Sequence, residues 1–414
     1  MRERIGWTQS LRKVCFFACL GSMSCTDRVT EPIVSPSTNA AADRDATAAE
    51  ETPASIRWNA ITRDFISAKP AASKPNQQAT LRAFAYLSLA QYRAAREAHE
   101  QGKPNPVVAR GAVSGASASI LGALFPADAP FFATQLALQE GESSPETRDA
   151  FAAGEVVGRS VANQVAQTAQ TDGFSAVWTG SVPTGPGLWS SDFDPPRPPL
   201  LPLLGQMRPF FMTSGSQFRP GAPPAFGSEA YLAALAELRR FSDTRTAEQL
   251  QIAQFWAMTT GSLVAGFWNG QAADRIVTHH LKERQAAHVL AFMNMAAMDA
   301  NIACHDAKYT YWLIRPYRAD PNITVPIGKP QHPSYPSNHA CVSGAAAYVL
   351  AAFFPDEGEQ LAAMADQAGE SRLYAGIHYR FDKDAGLRIA RQVSALALGH
   401  ESDENDDDAG SPPR

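Results

Sequence analysis

Apolar residues recur at helical spacing along most of the chain from Trp58 onward. In residues 78–102, QATLRAFAYLSLAQYRAAREAHEQG, they follow the i, i+3, i+4 rule and a glycine ends the run. Further runs of this kind lie at 143–173, 228–241, 246–265, 273–314, 339–353, 357–372 and 382–399. Alternation typical of strands does not occur over any length. The pattern predicts an all-α fold, a multi-helical bundle.

Residues 181–226 break the helical pattern. This Pro-rich loop holds 11 of the 30 prolines together with many large apolar residues, whereas a disordered linker is poor in aromatic side chains. We therefore expect an ordered, extended segment that packs over the helices and forms one wall of a pocket.

The N-terminus has the order of a secretory signal. Basic residues precede the apolar run VCFFACLGSM, which is too short for the roughly 20 residues of a membrane span. Ser24-Cys25 resembles the cleavage and lipidation box of bacterial lipoproteins, although Ser22 stands where Leu is usual. We expect residues 1–25 to be a signal peptide. The protein would be exported to the periplasm or cell envelope, with a lipid at Cys25 as its only contact with a membrane.

Composition sets the remaining boundaries. Residues 26–57 are small and polar and predict a disordered linker, residues 58–400 a helical domain, and residues 401–414 an acidic, solvated tail. The 45% apolar content allows a large core. A formal net charge of -5 without a basic stripe excludes nucleic acid as a partner.

A first polar cluster, DAKYTYWLIRPYR, lies at residues 306–318. Lys308 and Arg315 are seven residues apart, so both are expected on one face of a helix that ends near Arg315 because Pro316 disfavours helix before it. The alternative is a pair of surface cations on an amphipathic helix.

A second cluster, PSNH, precedes the apolar helix predicted at 339–353. Ser337 stands at the N-cap position, where free backbone amides and the positive end of the helix dipole form an anion site with Asn338 and His339. An ordinary serine cap beside a surface histidine is the alternative.

The third cluster is SRLYAGIHYRFDKD, residues 371–384. A turn at Gly376 would bring Arg372 and His378 together. His378 and Asp382, at i and i+4, are close enough for the carboxylate to hold one imidazole nitrogen and leave the other aimed outward. Read alone, they are equally a structural pair. Together the three clusters suit a tetrahedral oxyanion bound by cations, a hydroxyl, backbone amides and one apical histidine.

These clusters resemble the three signatures of the type 2 phosphatidic acid phosphatase and vanadium-dependent haloperoxidase superfamily. Lys308 with Arg315-Pro316 is similar to K-x6-R-P, the PSNH segment to P-S-G-H, and the third cluster to S-R-x3-G-x-H-x3-D. The resemblance implies the helical bundle of acid phosphatases and vanadium haloperoxidases. The sequence departs from this pattern at Asn338, where the superfamily usually has Gly. Asparagine tolerates left-handed backbone. Its side chain would either crowd the site or hydrogen-bond a ligand.

The resemblance implies a role for each matched residue. Lys308, Arg315 and Arg372 would bind the oxyanion's equatorial oxygens, with Ser337 and the amide of Asn338. His378 would be the apical ligand of vanadate or, in a phosphatase, the nucleophile. His339 would be the general acid-base, and Asp382 would orient His378.

The motifs leave the reaction open. A haloperoxidase oxidises halide with hydrogen peroxide at bound vanadate, with Lys308 polarising the peroxide; a phosphatase hydrolyses phosphomonoesters through phospho-His378 without a cofactor. The long helical domain and Pro-rich loop favour the haloperoxidase, while the 34 residues between Ser337 and Arg372 resemble the acid phosphatases. Membrane lipid phosphatases are disfavoured, since no segment reaches 18 apolar residues. A surface protein that binds an oxyanion without turnover is a third hypothesis.

Two side expectations complete the sequence-based predictions. Cys304 and Cys341 lie one turn from Lys308 and Ser337, so a shared anion would bring them together, as a disulfide or as buried thiols. The segment THHLKERQAAH places His280 and His288 eight residues apart and His279 and Glu283 at i, i+4. This spacing permits a metal site but equally describes a solvated helix face.

Overall fold

The computed structural model describes residues 52–100, 105–258 and 261–408, with side chains described to residue 400. The expectations for the signal peptide, for Cys25 and for linker residues 26–51 lie outside these ranges. Within them the chain forms thirteen α-helices and no β-strand, which confirms the all-α prediction. The helices are α1 (Ala54–Ala68), α2 (Gln77–Glu100), α3 (Pro106–Leu124), α4 (Ala129–Gly141), α5 (Pro145–Gln170), α6 (Glu229–Thr244), α7 (Ala247–Ala257), α8 (Leu263–Thr278), α9 (Glu283–Tyr311), α10 (Pro316–Ala319), α11 (Asn338–Phe353), α12 (Gly358–Tyr374) and α13 (Arg380–Asp408).

Two of the predicted helical runs are wrong in extent. The run at 246–265 is divided between α7 and α8 by left-handed backbone at Met258, Gly261 and Leu263, and the run at 273–314 is divided between α8 and α9 at His280, which has a φ of 54°. Non-glycine residues enter this region only when surrounding structure holds them there. The apolar pattern therefore continues through both bends while the backbone does not.

The folded region begins earlier than the predicted boundary at residue 58. Helix α1 starts at Ala54, and the backbone amides of Ala54 and Ser55 donate to the carboxylate of the distant Glu283. A carboxylate at a helix N-terminus satisfies amides that have no intrahelical partner. At the other end, α13 continues to Asp408, into the predicted acidic tail.

Helices α3 and α5 pack unusually close, through glycines. A Cβ at Gly158 would lie 1.9 Å from the carbonyl oxygen of Ala112, and one at Gly154 would lie 2.1 Å from that of Val108. Helix α3 is also the one described helix long and apolar enough to cross a membrane, a feature the sequence analysis had not recognised. Inside the fold, 56% of its most apolar stretch is buried against other helices. An apolar composition is what such a core position requires.

Helix α9 is the axis of the bundle and packs against α2, α11 and α13. The Pro-rich segment is fixed over it as predicted: the amides of Phe210 and Phe211 each donate to the Asp299 carboxylate over 2.8 Å, and the amide of Leu200 donates to the Gln331 carbonyl over 2.7 Å. This arrangement brings the C-terminal ends of α9 and α12 and the N-terminal ends of α11 and α13 to one region, where the three polar clusters meet.

Candidate active site

The first polar cluster does not lie on one helix face, contrary to the prediction. Helix α9 ends at Tyr311, because Trp312 adopts left-handed backbone with a φ of 51°, so Arg315 lies beyond it as the N-cap of α10. Both cations are nonetheless fully buried. The ammonium of Lys308 donates to the carbonyls of Pro333, Ser334 and Pro336, in the loop that leads into α11.

Arg315 joins the loop before α11 to the turn before α13. Its Nε donates to the His332 carbonyl over 3.0 Å and its Nη1 to the Ile377 carbonyl over 2.7 Å. The same Nη1 lies 3.1 Å from Nε2 of His378. The guanidinium is thus held rigidly, with one edge on the imidazole expected to be the apical ligand.

The predicted His378–Asp382 pair is present, with His378 in the turn before α13 instead of on the helix. Gly376 has a φ of 71° and forms the predicted turn. Nδ1 of His378 lies 2.8 Å from Oδ2 of Asp382, which also accepts hydrogen bonds from the Ser334 hydroxyl over 2.6 Å and from the Tyr379 amide over 3.1 Å. A carboxylate at Nδ1 fixes that nitrogen as the N–H and leaves the lone pair on Nε2.

The N-terminus of α11 provides unpartnered polar groups. Ser337 is its N-cap by position but makes no side-chain capping bond, and its buried hydroxyl has no partner. Asn338 is the first residue of α11 and does not have left-handed backbone, so the tolerance of asparagine for that conformation is not needed here. Its Nδ2 donates to Oδ1 of Asn301 over 3.0 Å, while its own Oδ1 has no partner.

One cavity of about 420 Å³ joins the second and third clusters. Its lining includes Asn338, His339, Arg372 and His378. Leu200 of the Pro-rich segment contributes to it, as expected of a pocket wall. Lys308, Arg315, Ser337 and Asp382 are buried behind this surface and are not among its lining residues.

Comparison with known proteins matches this region to a family. Residues 288–400 fit the PAP2 superfamily. The chain carries a PAP2 superfamily domain. A 190-residue stretch is 27% identical to a non-specific acid phosphatase of Providencia stuartii, covering 44% of this chain and 73% of that protein.

Solved structures share the fold over a longer span than the PAP2 domain itself. A bacterial vanadium-dependent iodoperoxidase has a TM-score of 0.72 at 22% identity, covering 83% of this chain and 96% of that one. A bacterial vanadium-dependent chloroperoxidase has a TM-score of 0.64 at 13% identity, covering 80% and 92%. The helical bundle expected from the motifs is therefore the fold of these proteins.

Burial dominates the electrostatics of the PAP2 site. It lowers the pKa of Lys308 to about 8 and that of Arg372 to about 9, both still above neutral. It also holds the pKa values of His339 and His378 well below the usual range, with Arg372 adding to the effect at His339 and Arg315 at His378. Burial raises the pKa of Asp382 to about 6. At pH 7 the site therefore has cationic Lys and Arg, neutral imidazoles and an ionised Asp382.

His339 is tied to helix α7. Its Nε2 lies 2.8 Å from the Trp256 carbonyl, so Nε2 carries the hydrogen and Nδ1 the lone pair. Arg372 is tied to the same helix, because its Nη2 donates to the Ala253 carbonyl over 2.7 Å. The end of α7 thus orients both residues.

Three residues of this region had no assigned role in the sequence analysis. His332 lines the cavity, and its Nδ1 lies 3.1 Å from Nη2 of Arg315. Ser334 binds Asp382, as described above, and its position three residues before Ser337, next to the PSNH cluster, was the available signal. His305, fully buried one turn before Lys308 on α9, has its Nδ1 on the Asn301 carbonyl and no partner for Nε2.

The side expectations have separate outcomes. Cys304 and Cys341 come together, since the proximity of Cys304 helps to raise the pKa of the Cys341 thiol, and the Cys304 thiol donates to the Pro336 carbonyl. Both are free buried thiols, and the disulfide alternative is wrong. The metal site is also wrong: the helix is interrupted at His280, Glu283 binds the start of α1, and the described residues contain no cluster of three metal-ligating side chains.

These residues fit a bound oxyanion. The site holds three buried cations and only one buried carboxylate. The Ser337 hydroxyl is a buried donor without an acceptor, and the first amides of α11 have no acceptor within the helix. An excess of donors in a low-dielectric site is stabilised by an anion with several acceptor oxygens. Lys308 departs from its expected role, because three carbonyls already occupy its ammonium.

Proposed function

We propose that this protein is an exported enzyme that oxidises halide with hydrogen peroxide in a vanadate-dependent reaction. The observation that carries this proposal is the extent of the structural similarity, since 96% of the vanadium iodoperoxidase chain is covered, including the helices that precede the PAP2 domain. The reaction itself is an inference from that architecture together with the site chemistry.

When bound, vanadate supplies the Lewis acid that activates hydrogen peroxide toward halide. His378 would hold it through Nε2, and Arg315, Arg372, Ser337 and the amides at the start of α11 would bind its oxygens. Asp382 keeps Nδ1 of His378 protonated, so that Nε2 always presents its lone pair. Nδ1 of His339, unprotonated at pH 7, would take the proton that hydrogen peroxide releases on binding.

A second candidate is an exported acid phosphatase. It is favoured by the 27% identity over 190 residues with the Providencia stuartii acid phosphatase. In that reaction Nε2 of His378 attacks phosphorus and the P–O bond to the leaving alcohol breaks, after which water cleaves the N–P bond. To deliver a proton to the leaving oxygen, His339 would first have to be protonated at Nδ1, which requires acid because burial lowers its pKa; it would later accept a proton from water. A non-catalytic oxyanion-binding protein is less well supported, because it needs neither His339 nor the His378–Asp382 pair.

A paired assay separates these candidates. Vanadate-reconstituted protein is assayed for bromide and iodide oxidation by hydrogen peroxide, and vanadate-free protein for phosphate release from 4-nitrophenyl phosphate, each against His378→Ala. We expect halide oxidation that the variant lacks. Monoester hydrolysis inhibited by vanadate, without halide turnover, would establish the phosphatase instead. Oxyanion binding without either activity would establish the third possibility.

A further inference from the structure

The cavity that reaches the candidate catalytic residues also contains unpaired carboxamides from outside the three motifs. Gln78, near the start of α2, is only 4% exposed, and its Oε1 has no hydrogen-bond partner. Gln331, just before His332, has neither a partner for Oε1 nor one for Nε2. Both residues line the cavity. A buried carboxamide atom without a partner has lost its hydrogen bonds to water without replacement, so a ligand that satisfies it gains affinity.

The segments that carry these glutamines are held in place. The Gln331 carbonyl accepts the Leu200 amide over 2.7 Å, and the neighbouring His332 carbonyl accepts Nε of Arg315. At the start of α2, the side chain of Gln77 accepts the Val264 amide over 3.3 Å. The two carboxamides therefore belong to a preformed surface, which reduces the entropy cost of binding.

Among the described residues that line the cavity there is no Asp or Glu, and the charged side chains are Arg372, which belongs to the oxyanion site, and Lys74. Its one lysine, Lys74, has all three ammonium hydrogens occupied, by the carbonyls of Ile66, Ser67 and Gly261. Other lining residues are apolar: Leu81, Leu200, Leu263, Val264, Ile327 and Val342. Such a surface suits an uncharged molecule with an apolar body.

We propose that Gln78 and Gln331 form a subsite for an uncharged, hydroxyl-bearing organic molecule, bound beside the oxyanion site. A hydroxyl both donates and accepts, which matches the unpaired Oε1 of Gln78 and the two unpaired atoms of Gln331. This inference rests on the proposed function, because it takes the cavity to be the substrate-binding site. The bound molecule is the halogen acceptor of a haloperoxidase or the alcohol portion of a phosphomonoester, and the chemistry of recognition is the same.

Binding of phenol and toluene to the full-length protein, titrated by ligand-observed NMR, tests the subsite. A purely apolar cavity binds toluene, the more hydrophobic of the two, more tightly than phenol. Carboxamides that hydrogen-bond the phenol hydroxyl reverse this order of affinity. We expect wild-type protein to bind phenol more tightly by about 3- to 10-fold, the effect of one net hydrogen bond. Gln78→Leu/Gln331→Leu should bind toluene more tightly instead, with each single variant between. Gln167→Leu, an exposed position on α5, should behave as wild type.

Two results overturn the subsite: equal or weaker binding of phenol in wild type, or an unchanged phenol preference in the double variant. Retained toluene binding shows that the variant cavity is folded. Phosphate binding, measured on the same samples by calorimetry, separates this inference from the proposed function. If phosphate fails to bind while phenol preference follows the glutamines, only the oxyanion proposal falls. The source of the ligand follows from whether the double variant raises KM for phenol as halogen acceptor or for phenyl phosphate.

Discussion

Nδ1 of His378 lies 2.8 Å from Oδ2 of Asp382, and the two side chains are buried together at the start of α13. The carboxylate is held in turn by the Ser334 hydroxyl and the Tyr379 amide. The imidazole therefore has one tautomer and one orientation, with Nε2 toward Arg315. Both candidate reactions, vanadate-dependent halide oxidation and phosphomonoester hydrolysis, depend on the position of Nε2.

Asp382→Asn should reduce kcat/KM for the activity found by at least 100-fold. The amide offers its hydrogens to Nδ1 or presents a neutral oxygen, so the tautomer of His378 is no longer fixed and Nε2 is a weaker ligand or nucleophile. Affinity for vanadate, measured by equilibrium dialysis, should fall by about 10- to 100-fold. Asp384→Asn makes the same change two residues away at an exposed position of α13 and should leave both unchanged. Equal effects of the two variants would contradict the positioning role.

Acid should destabilise the protein through its buried neutral histidines. Burial lowers the pKa of His305 to about 3, far below the roughly 6.5 of an unfolded chain. A lowered histidine pKa contributes stability above pH 6.5 that is lost as the pH falls toward 3, because the unfolded state binds the proton first. Asp382 has the opposite effect, because burial raises its pKa to about 6 and the folded state therefore binds the proton first. Its contribution to stability is present below about pH 4 and is lost as the pH rises to about 6.

His305→Asn isolates one such contribution, since the asparagine amide can replace Nδ1 as the donor to the Asn301 carbonyl. Between about pH 4 and 6, the slope of unfolding free energy against pH should decrease by about 1.4 kcal/mol per pH unit relative to wild type. Urea unfolding at several pH values measures it. His99→Gln, on the exposed side of α2, is the control and should not change the slope. An unaltered slope in His305→Asn would show that this histidine is protonated in the folded state.

Asn338 can be tested against the glycine of the superfamily motif. Asn338→Gly removes the hydrogen bond to Asn301 and adds a flexible residue to the first turn of α11, so the free energy of unfolding should fall by about 1–2 kcal/mol. Because the backbone amide stays in a right-handed helix, phosphate affinity should remain within about 3-fold. Asn338→Asp instead places a negative charge at the anion site and should weaken phosphate binding by at least 10-fold. Tighter binding by the glycine variant would show that the asparagine side chain crowds the site.

The contact between α3 and α5 should not tolerate a methyl group. Gly158→Ala would place Cβ 1.9 Å from the Ala112 carbonyl oxygen, within backbone that cannot move aside easily. We expect a loss of about 1–3 kcal/mol in unfolding free energy, the usual cost of overpacking. Gly141→Ala, at the end of α4 with no atom within 4 Å of the added Cβ, should be neutral or slightly stabilising. Chemical denaturation of the three proteins compares them directly.

Local patterns sufficed for the elements whose ends coincide with a change in composition. Helix α11 follows Pro336-Ser337 and starts one residue from its predicted position, and the Gly376 turn was recognisable because glycine readily adopts positive φ. The division between α8 and α9 at His280 had no such signal. Its left-handed backbone is maintained by packing, which a single sequence does not display.

The sequence by itself determined the all-α class, the three polar motifs and the pairing of His378 with Asp382, because each depends on spacing within one short segment. Only the tertiary structure decided how those segments meet. Lys308 binds carbonyls of the loop before α11, His339 and Arg372 bind the end of α7, and Gln78 and Gln331 share the cavity with them. These relations join residues far apart in the chain, and they follow from the folded arrangement of helices, which no local pattern specifies.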